Sequence, residues 1–180
     1  MSNLLVINFE IILIILKVII NILGQDTVTS NYEFFNECYG ELGCISTDIK
    51  WYNETYRPVN LKPLERQKIK TEFLVINRNA NNQSELTYST VTNEPQFLKT
   101  VCFGSHKKLL LLIHDFTSNG YTGWIKHIAQ KLICDNSYII ISVDWQNGAD
   151  PPLDQAVANA RLVALEINYF LKNVQVYSFV

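Results

Sequence analysis

An α/β domain with a largely parallel sheet is the fold class this sequence predicts, and three features predict it. Lys108 to His114 (KLLLLIH) and Tyr138 to Trp145 (YIIISVDW) are nearly continuous apolar runs of strand length, the pattern expected where both faces of a sheet are covered. Between them, Gly123 to Cys134 (GWIKHIAQKLIC) sets Trp124, Ile128 and Leu132 at helical spacing, with Ile125 and Ala129 alongside. Beyond them Leu153, Val157, Ala160, Ala164, Ile167 and Leu171 recur in steps of three and four and form one apolar stripe, the mark of an amphipathic helix. Strand, helix, strand and helix in that order make a βαβ unit and a sheet flanked by helices.

Composition agrees. The chain has 180 residues, 48% apolar and 18% charged, which suits one domain with a sizeable core. Nine Phe, nine Tyr and three Trp exclude the aromatic-poor composition of a disordered segment. Fifteen basic and seventeen acidic residues are interspersed, for a net charge of −2. No sequence-wide positive field is available to hold a phosphate backbone, so nucleic acid is not expected as a partner.

The amino terminus stands apart. Ile11 to Leu23 reads IILIILKVIINIL, broken only by Lys17 and Asn21, and is followed by Gly24 and the polar run QDTVTSN. That stretch is shorter than the ~20 apolar residues of a membrane span and lies where secretory signals lie. Residues 1–24 are read as a signal peptide, with an uncleaved anchor as the competing reading, and residues 25–180 as the domain. A secreted, extracellular protein is the expectation.

An oxidising route makes disulfides available to the four cysteines. In CYGELGC, Cys38 and Cys44 close a small ring, and Gly40 and Gly43 can take the positive φ angles so tight a turn favours. A disulfide is expected there; the pairing of Cys102 and Cys134 stays open. Two glycosylation sequons, Asn53-Glu-Thr55 and Asn82-Gln-Ser84, fit the same route.

Of the remaining elements, TEFLVIN (residues 71–77) reads as a strand and RNANNQSE as the loop after it. QNGADPP is a loop by composition, with Pro152 suited to a first helical turn and Asp154 to the positive end of the helix dipole. The final run, VQVYSFV, has two readings, the start of a further strand or unrelated sequence appended where the domain is interrupted.

CYGELGC, Trp51, the pair Arg57-Pro58, TEFLVINRNANN, KLLLLIHDF, VDW and QAVANARLVALE follow one another in the order and spacing of a known family. Together, over roughly residues 36–171, they resemble the amino-terminal part of secreted lipases of the pancreatic lipase family. The resemblance implies a partial α/β-hydrolase fold with a mostly parallel sheet flanked by helices. It also implies ester hydrolysis of triacylglycerols and phospholipids by a serine hydrolase, a lipid ester or lipid surface as partner, and no cofactor.

That chemistry needs a serine in a G-x-S-x-G elbow, then an Asp, then a His. No serine here has glycine at both flanking positions; Ser118 has only Gly120. The family's elbow is expected just beyond Val180. The chain is therefore expected to be an incomplete lipase-like domain, truncated before the nucleophile elbow, lacking the triad and inactive alone. A non-catalytic secreted relative that binds lipid or protein is the alternative.

One catalytic element falls within the chain. The family's oxyanion-hole donor maps onto the backbone N–H of Phe116, in His114-Asp115-Phe116. Where the family has glycine this chain has Asp115, whose carboxylate opposes a developing oxyanion unless it is turned to solvent or paired. Ala164 replaces a helix glycine.

Other chemistries find less support. His106, His114 and His127 share no ligand spacing with Asp115 or Asp144, so no metal is expected. His114, at the end of a buried strand, is expected to orient the following loop, and Asp144 to cap or hydrogen-bond QNGADPP. Trp51 and Trp145 are expected to be buried.

Overall fold

The computed structural model describes residues 34–48, 50–53, 55–56, 60–82, 84–91, 108–134 and 137–178. The expected signal peptide at residues 1–24, Arg57-Pro58, Cys102 and His106 lie outside them. The chain divides into two compact units.

The smaller unit ends at Asn60 and omits residues 39–43. It holds β1 (Asn36–Cys38) and β2 (Cys44–Ser46), paired antiparallel with Cys38 opposite Cys44. These two cysteines form the expected disulfide. Thr47, fully buried, bonds Phe35 through both backbone and side chain.

The larger unit comprises residues 39–43 and those from Leu61 onward. Its helices are α1 (Arg66–Ile69), α2 (Gly123–Leu132) and α3 (Leu153–Ser178). Its strands are β3 (Glu72–Arg78), β4 (Leu86–Val91), β5 (Lys108–Ile113) and β6 (Tyr138–Asp144), in the spatial order β4-β3-β6-β5.

The two apolar runs became neighbouring strands for the reason their composition suggests. Alternate residues of β3, β5 and β6 point to opposite faces. On one face Ile76, Leu112 and Ile140 pack with Ile125 and Ala129 of α2. On the other, Phe73 stacks on Phe170 of α3 with ring centroids 4.1 Å apart. Both faces of β6 are buried, so that run needs no polar alternation, whereas in β5 only Leu112 is buried and Ile113 is exposed.

Three expectations are corrected, and one strand is added. The sheet is mixed, not mostly parallel: β5–β6 is parallel, but β3 runs antiparallel to both β4 and β6. A βαβ crossover constrains only the strands it joins, β5 and β6, whereas the short turn after Arg78 forces β4 back along β3. That strand, LTYSTV, escaped the sequence reading altogether; its alternation is half polar because it lies at the sheet's edge.

The last helix does not bury the stripe its spacing suggested. Leu153 and Val157 are exposed, while the buried face carries Ala156, Asn159, Val163, Glu166, Phe170 and Val174. Two polar residues interrupt that face and hid it; each is fully engaged in hydrogen bonds or an ion pair. Finally, Val174 to Ser178 of VQVYSFV form no strand, since α3 continues through Ser178. Burial of Phe170 and Val174 on the same stripe outweighs the weak strand preference of the run's β-branched residues.

Candidate functional site

Parallel pairing of β5 and β6 brings Ile113 opposite Val143, so both chains leave the sheet side by side at their carboxyl ends. Open α/β sheets bind ligands at that edge. The next residues out are His114 and Asp144.

His114 is 2% exposed. Its Nδ1 lies 2.9 Å from the Asp115 carbonyl oxygen, an acceptor only, so Nδ1 carries a proton and donates it. Its Nε2 is approached by the Trp145 backbone N–H at 3.0 Å and by Asp144 Oδ1 at 3.2 Å. One nitrogen cannot accept from the first and donate to the second at once, so these two contacts compete. The Trp145 indole N–H donates to the His114 carbonyl at 2.9 Å, and the two rings stack 5.5 Å apart. Trp145 thus donates twice to His114, from its backbone and from its ring, and ties the residue after β6 to the end of β5.

Asp144 gathers the rest. Burial alone would raise its carboxyl pKa; the His114 contact, made when Nε2 carries a proton, and hydrogen bonds from the Gln146 and Gly120 backbone N–H groups outweigh it and hold the carboxyl below its ordinary value. The sequence expectation that Asp144 would bond QNGADPP is met at Gln146, 3.1 Å away. His114, likewise, holds the loop that follows it.

Gly120 closes the loop onto β6. Its carbonyl accepts from Ser142 Oγ at 2.7 Å. A Cβ at this position would lie 2.8 Å from Asp144 Cβ and 3.1 Å from Ser142 Oγ, so only glycine admits the approach. At the loop's centre Thr117 adopts φ 55°, and its N–H donates to the buried Ala149 carbonyl at 2.9 Å. The short 3-10 turn Gln146–Gly148 that presents Ala149 is itself held by Asn159, whose Nδ2 donates to Gly148 O at 2.9 Å and whose Oδ1 accepts from Leu64 N–H at 2.8 Å.

Phe116 sits inside this frame, half-buried, between fixed His114 and fixed Thr117. Among the described residues its N–H has no acceptor. A backbone donor left open in a loop anchored on both sides can stabilise negative charge on a bound oxygen without reorganising. Asp115 is exposed beside it.

The other residues singled out from the sequence do not join this site. His127 is exposed on α2, and Cys134, exposed just after that helix, has no disulfide partner among the described residues. Trp145 is buried as expected, Trp51 half-buried. Among the described residues no group of three His, Cys, Asp or Glu side chains could hold a metal. Sequence reasoning missed Gly120, Ser142 and Asn159. Ser142 carried a signal, as a polar residue inside YIIISVD; the other two carried none.

Residues 36–178 match the family model described as Lipase. The chain is 34% identical over 136 residues to pancreatic lipase-related protein 2 of Myocastor coypus, which covers 75% of this chain and 28% of that protein. It is 33% identical over 138 residues to pancreatic triacylglycerol lipase of Sus scrofa (75% and 29%) and 32% identical over 139 residues to that of Homo sapiens (77% and 29%). The chain therefore spans less than a third of the length of these relatives.

Proposed function

The chain belongs to the lipase family, and from that premise we propose that its His114-Asp115-Phe116 loop is the oxyanion side of a site that hydrolyses lipid esters outside the cell. The observation that carries the proposal is the open Phe116 N–H in a loop tied to β6 through Gly120, to Trp145 through His114 and to Ala149 through Thr117. One preorganised donor of this kind lowers the barrier of acyl transfer by about 3 kcal/mol.

The attacking serine, the acid and the histidine base are proposed to lie beyond Val180. No serine of this sequence stands in a G-x-S-x-G elbow, and the outer side of β5 is unpaired among the described residues. An edge strand reading KLLLLI is unusually apolar for a place where sheets normally carry charge. Its composition supports a further strand beside it.

Secretion is supported by the apolar leader and by the Cys38–Cys44 disulfide. On this reading the 180 residues alone are inactive. Asp115 favours the second reading, a non-catalytic relative that binds lipid or protein, because its carboxylate lies next to the donor.

Sequencing the transcript past the codon for Val180 separates the two. An in-frame G-x-S-x-G followed by Asp and His is the expected result, and an authentic stop codon supports the binding relative. The 180-residue chain, produced under oxidising conditions, should show no turnover of a soluble short-chain ester above background. Turnover abolished by replacing a serine within this chain would overturn the proposal.

A further inference from the structure

The turn joining β3 to β4 carries a motif that ester hydrolysis does not use. Residues 79–85 close on themselves: Asn79 N–H donates to Glu85 O at 3.0 Å, and Glu85 N–H to Asn82 O at 3.0 Å. At the tip, Asn82 is exposed. Its Oδ1 accepts from the Ser84 N–H at 3.2 Å and from the Ser84 hydroxyl at 2.6 Å. Among the described residues its Nδ2 donates to nothing.

We propose that Asn82 is the residue on which the protein carries an N-linked glycan, in preference to Asn53; the assignment rests on the secretory reading above. In the transfer, Asn82 Nδ2 attacks the anomeric carbon of an oligosaccharide carried on a lipid pyrophosphate. The new N–C bond forms as the C–O bond to pyrophosphate breaks; the pyrophosphate leaves with that electron pair, and one Nδ2 proton passes to a base of the transferring enzyme. An amide nitrogen is a poor nucleophile because its lone pair is shared with the carbonyl. Hydrogen bonds to Oδ1 make the Nδ2 protons more acidic and so favour the loss this step requires. Both of those bonds span two residues, so they form in a nascent chain before the sheet exists.

Asn53 offers less. Its Oδ1 accepts from the backbone N–H groups of Thr55 at 3.0 Å and Tyr56 at 2.9 Å, without the sequon hydroxyl, and the residue is half-buried.

Placement also favours Asn82. The turn leaves β3 at Arg78, while the opposite end of that strand pairs Glu72 with Asp144. At ~3.3 Å per residue, the length of β3 puts the sugar roughly 20 Å from the edge that holds His114 and Asp144. A glycan there faces solvent and leaves the ester site open to a lipid surface.

The test is translation of the full 180-residue chain in a cell-free system with microsomes, followed by protease and glycosidase digestion. The expected product is protease-protected and carries one glycosidase-sensitive mobility step. That step is lost in Asn82→Gln and Ser84→Ala and kept in Asn53→Gln and Ser84→Thr. A protected product with no step, or a step that survives Asn82→Gln, overturns the assignment, and two steps overturn the preference over Asn53. A chain left outside the microsomes overturns the secretory reading, and the glycan with it.

Discussion

His114 Nε2 and Asp144 Oδ1 meet at 3.2 Å across the carboxyl ends of two parallel strands. Each belongs to a residue that also holds the loop bearing Phe116. Because the Asp144 carboxyl is held below its ordinary value of 3.8, folding favours its ionised form. Stability from this group is fully present above the unfolded-state value and is lost as pH falls through the lower folded-state value. The urea midpoint of the wild type is therefore expected to drop below about pH 4 more steeply than that of Asp144→Asn. At pH 7 the variant should lose about 1.5–3 kcal/mol, the scale of a charged hydrogen bond. Equal acid slopes in the two proteins would remove Asp144 from this account.

Gly120→Ala tests the fit of that loop. The added methyl meets Asp144 Cβ and Ser142 Oγ, both on a buried strand, so neither can swing away cheaply. Overpacking of this kind costs about 1–3 kcal/mol. The same substitution at Gly123 meets nothing within 4 Å and, being helical, should be neutral or slightly stabilising. Denaturant midpoints of the two variants compare the positions directly.

What could be read from the sequence follows from where polarity was placed. YIIISVD was legible because burial on both faces left it almost no polar residue, and KLLLLI because its run is equally apolar although only Leu112 of it is buried. The long helix was legible as a helix but not in its orientation, because Asn159 and Glu166 lie on its buried face. Asn159 bonds Leu64, Gly148 and Gln155, and Glu166 bonds Arg66 from 100 residues away. No local pattern announces partners so remote. The site was legible only through resemblance at HDF and VDW; the bonds that make it rigid run between backbone atoms and single side chains, which leave no periodic trace.

Arg66 and Glu166 lend themselves to a variant series. The guanidinium binds the carboxylate through two bonds, 2.6 and 3.1 Å, with the Glu166 side chain 12% exposed and that of Arg66 35% exposed. Arg66→Ala strands a nearly buried carboxylate. Its cost should be about 2–3 kcal/mol, below that of breaking a fully buried pair because water reaches the arginine. The double variant Arg66→Met with Glu166→Leu should recover most of that loss, since packing replaces two desolvated charges. Glu41→Ala, which removes only the exposed end of the network, should change the midpoint little. Urea, which does not screen charge, is the denaturant to use.

Asp115 decides how good an oxyanion site this loop can be. Its carbonyl oxygen accepts from His114 Nδ1, which fixes the backbone and leaves the exposed side chain as the variable. One unit charge at roughly 7 Å in an effective dielectric of about 40 opposes another by about 1 kcal/mol, or roughly fivefold in rate. In a longer product carrying the family's serine, Asp115→Asn is therefore expected to raise kcat about fivefold with little change in KM, because the opposed charge exists only once the carbonyl is attacked. Raising salt should speed the wild type more than the variant, since screening weakens the same repulsion. An unchanged kcat together with equal salt responses would show that the carboxylate points away from the bound oxygen. The substitution of glycine by Asp115 would then leave the Phe116 donor at full strength.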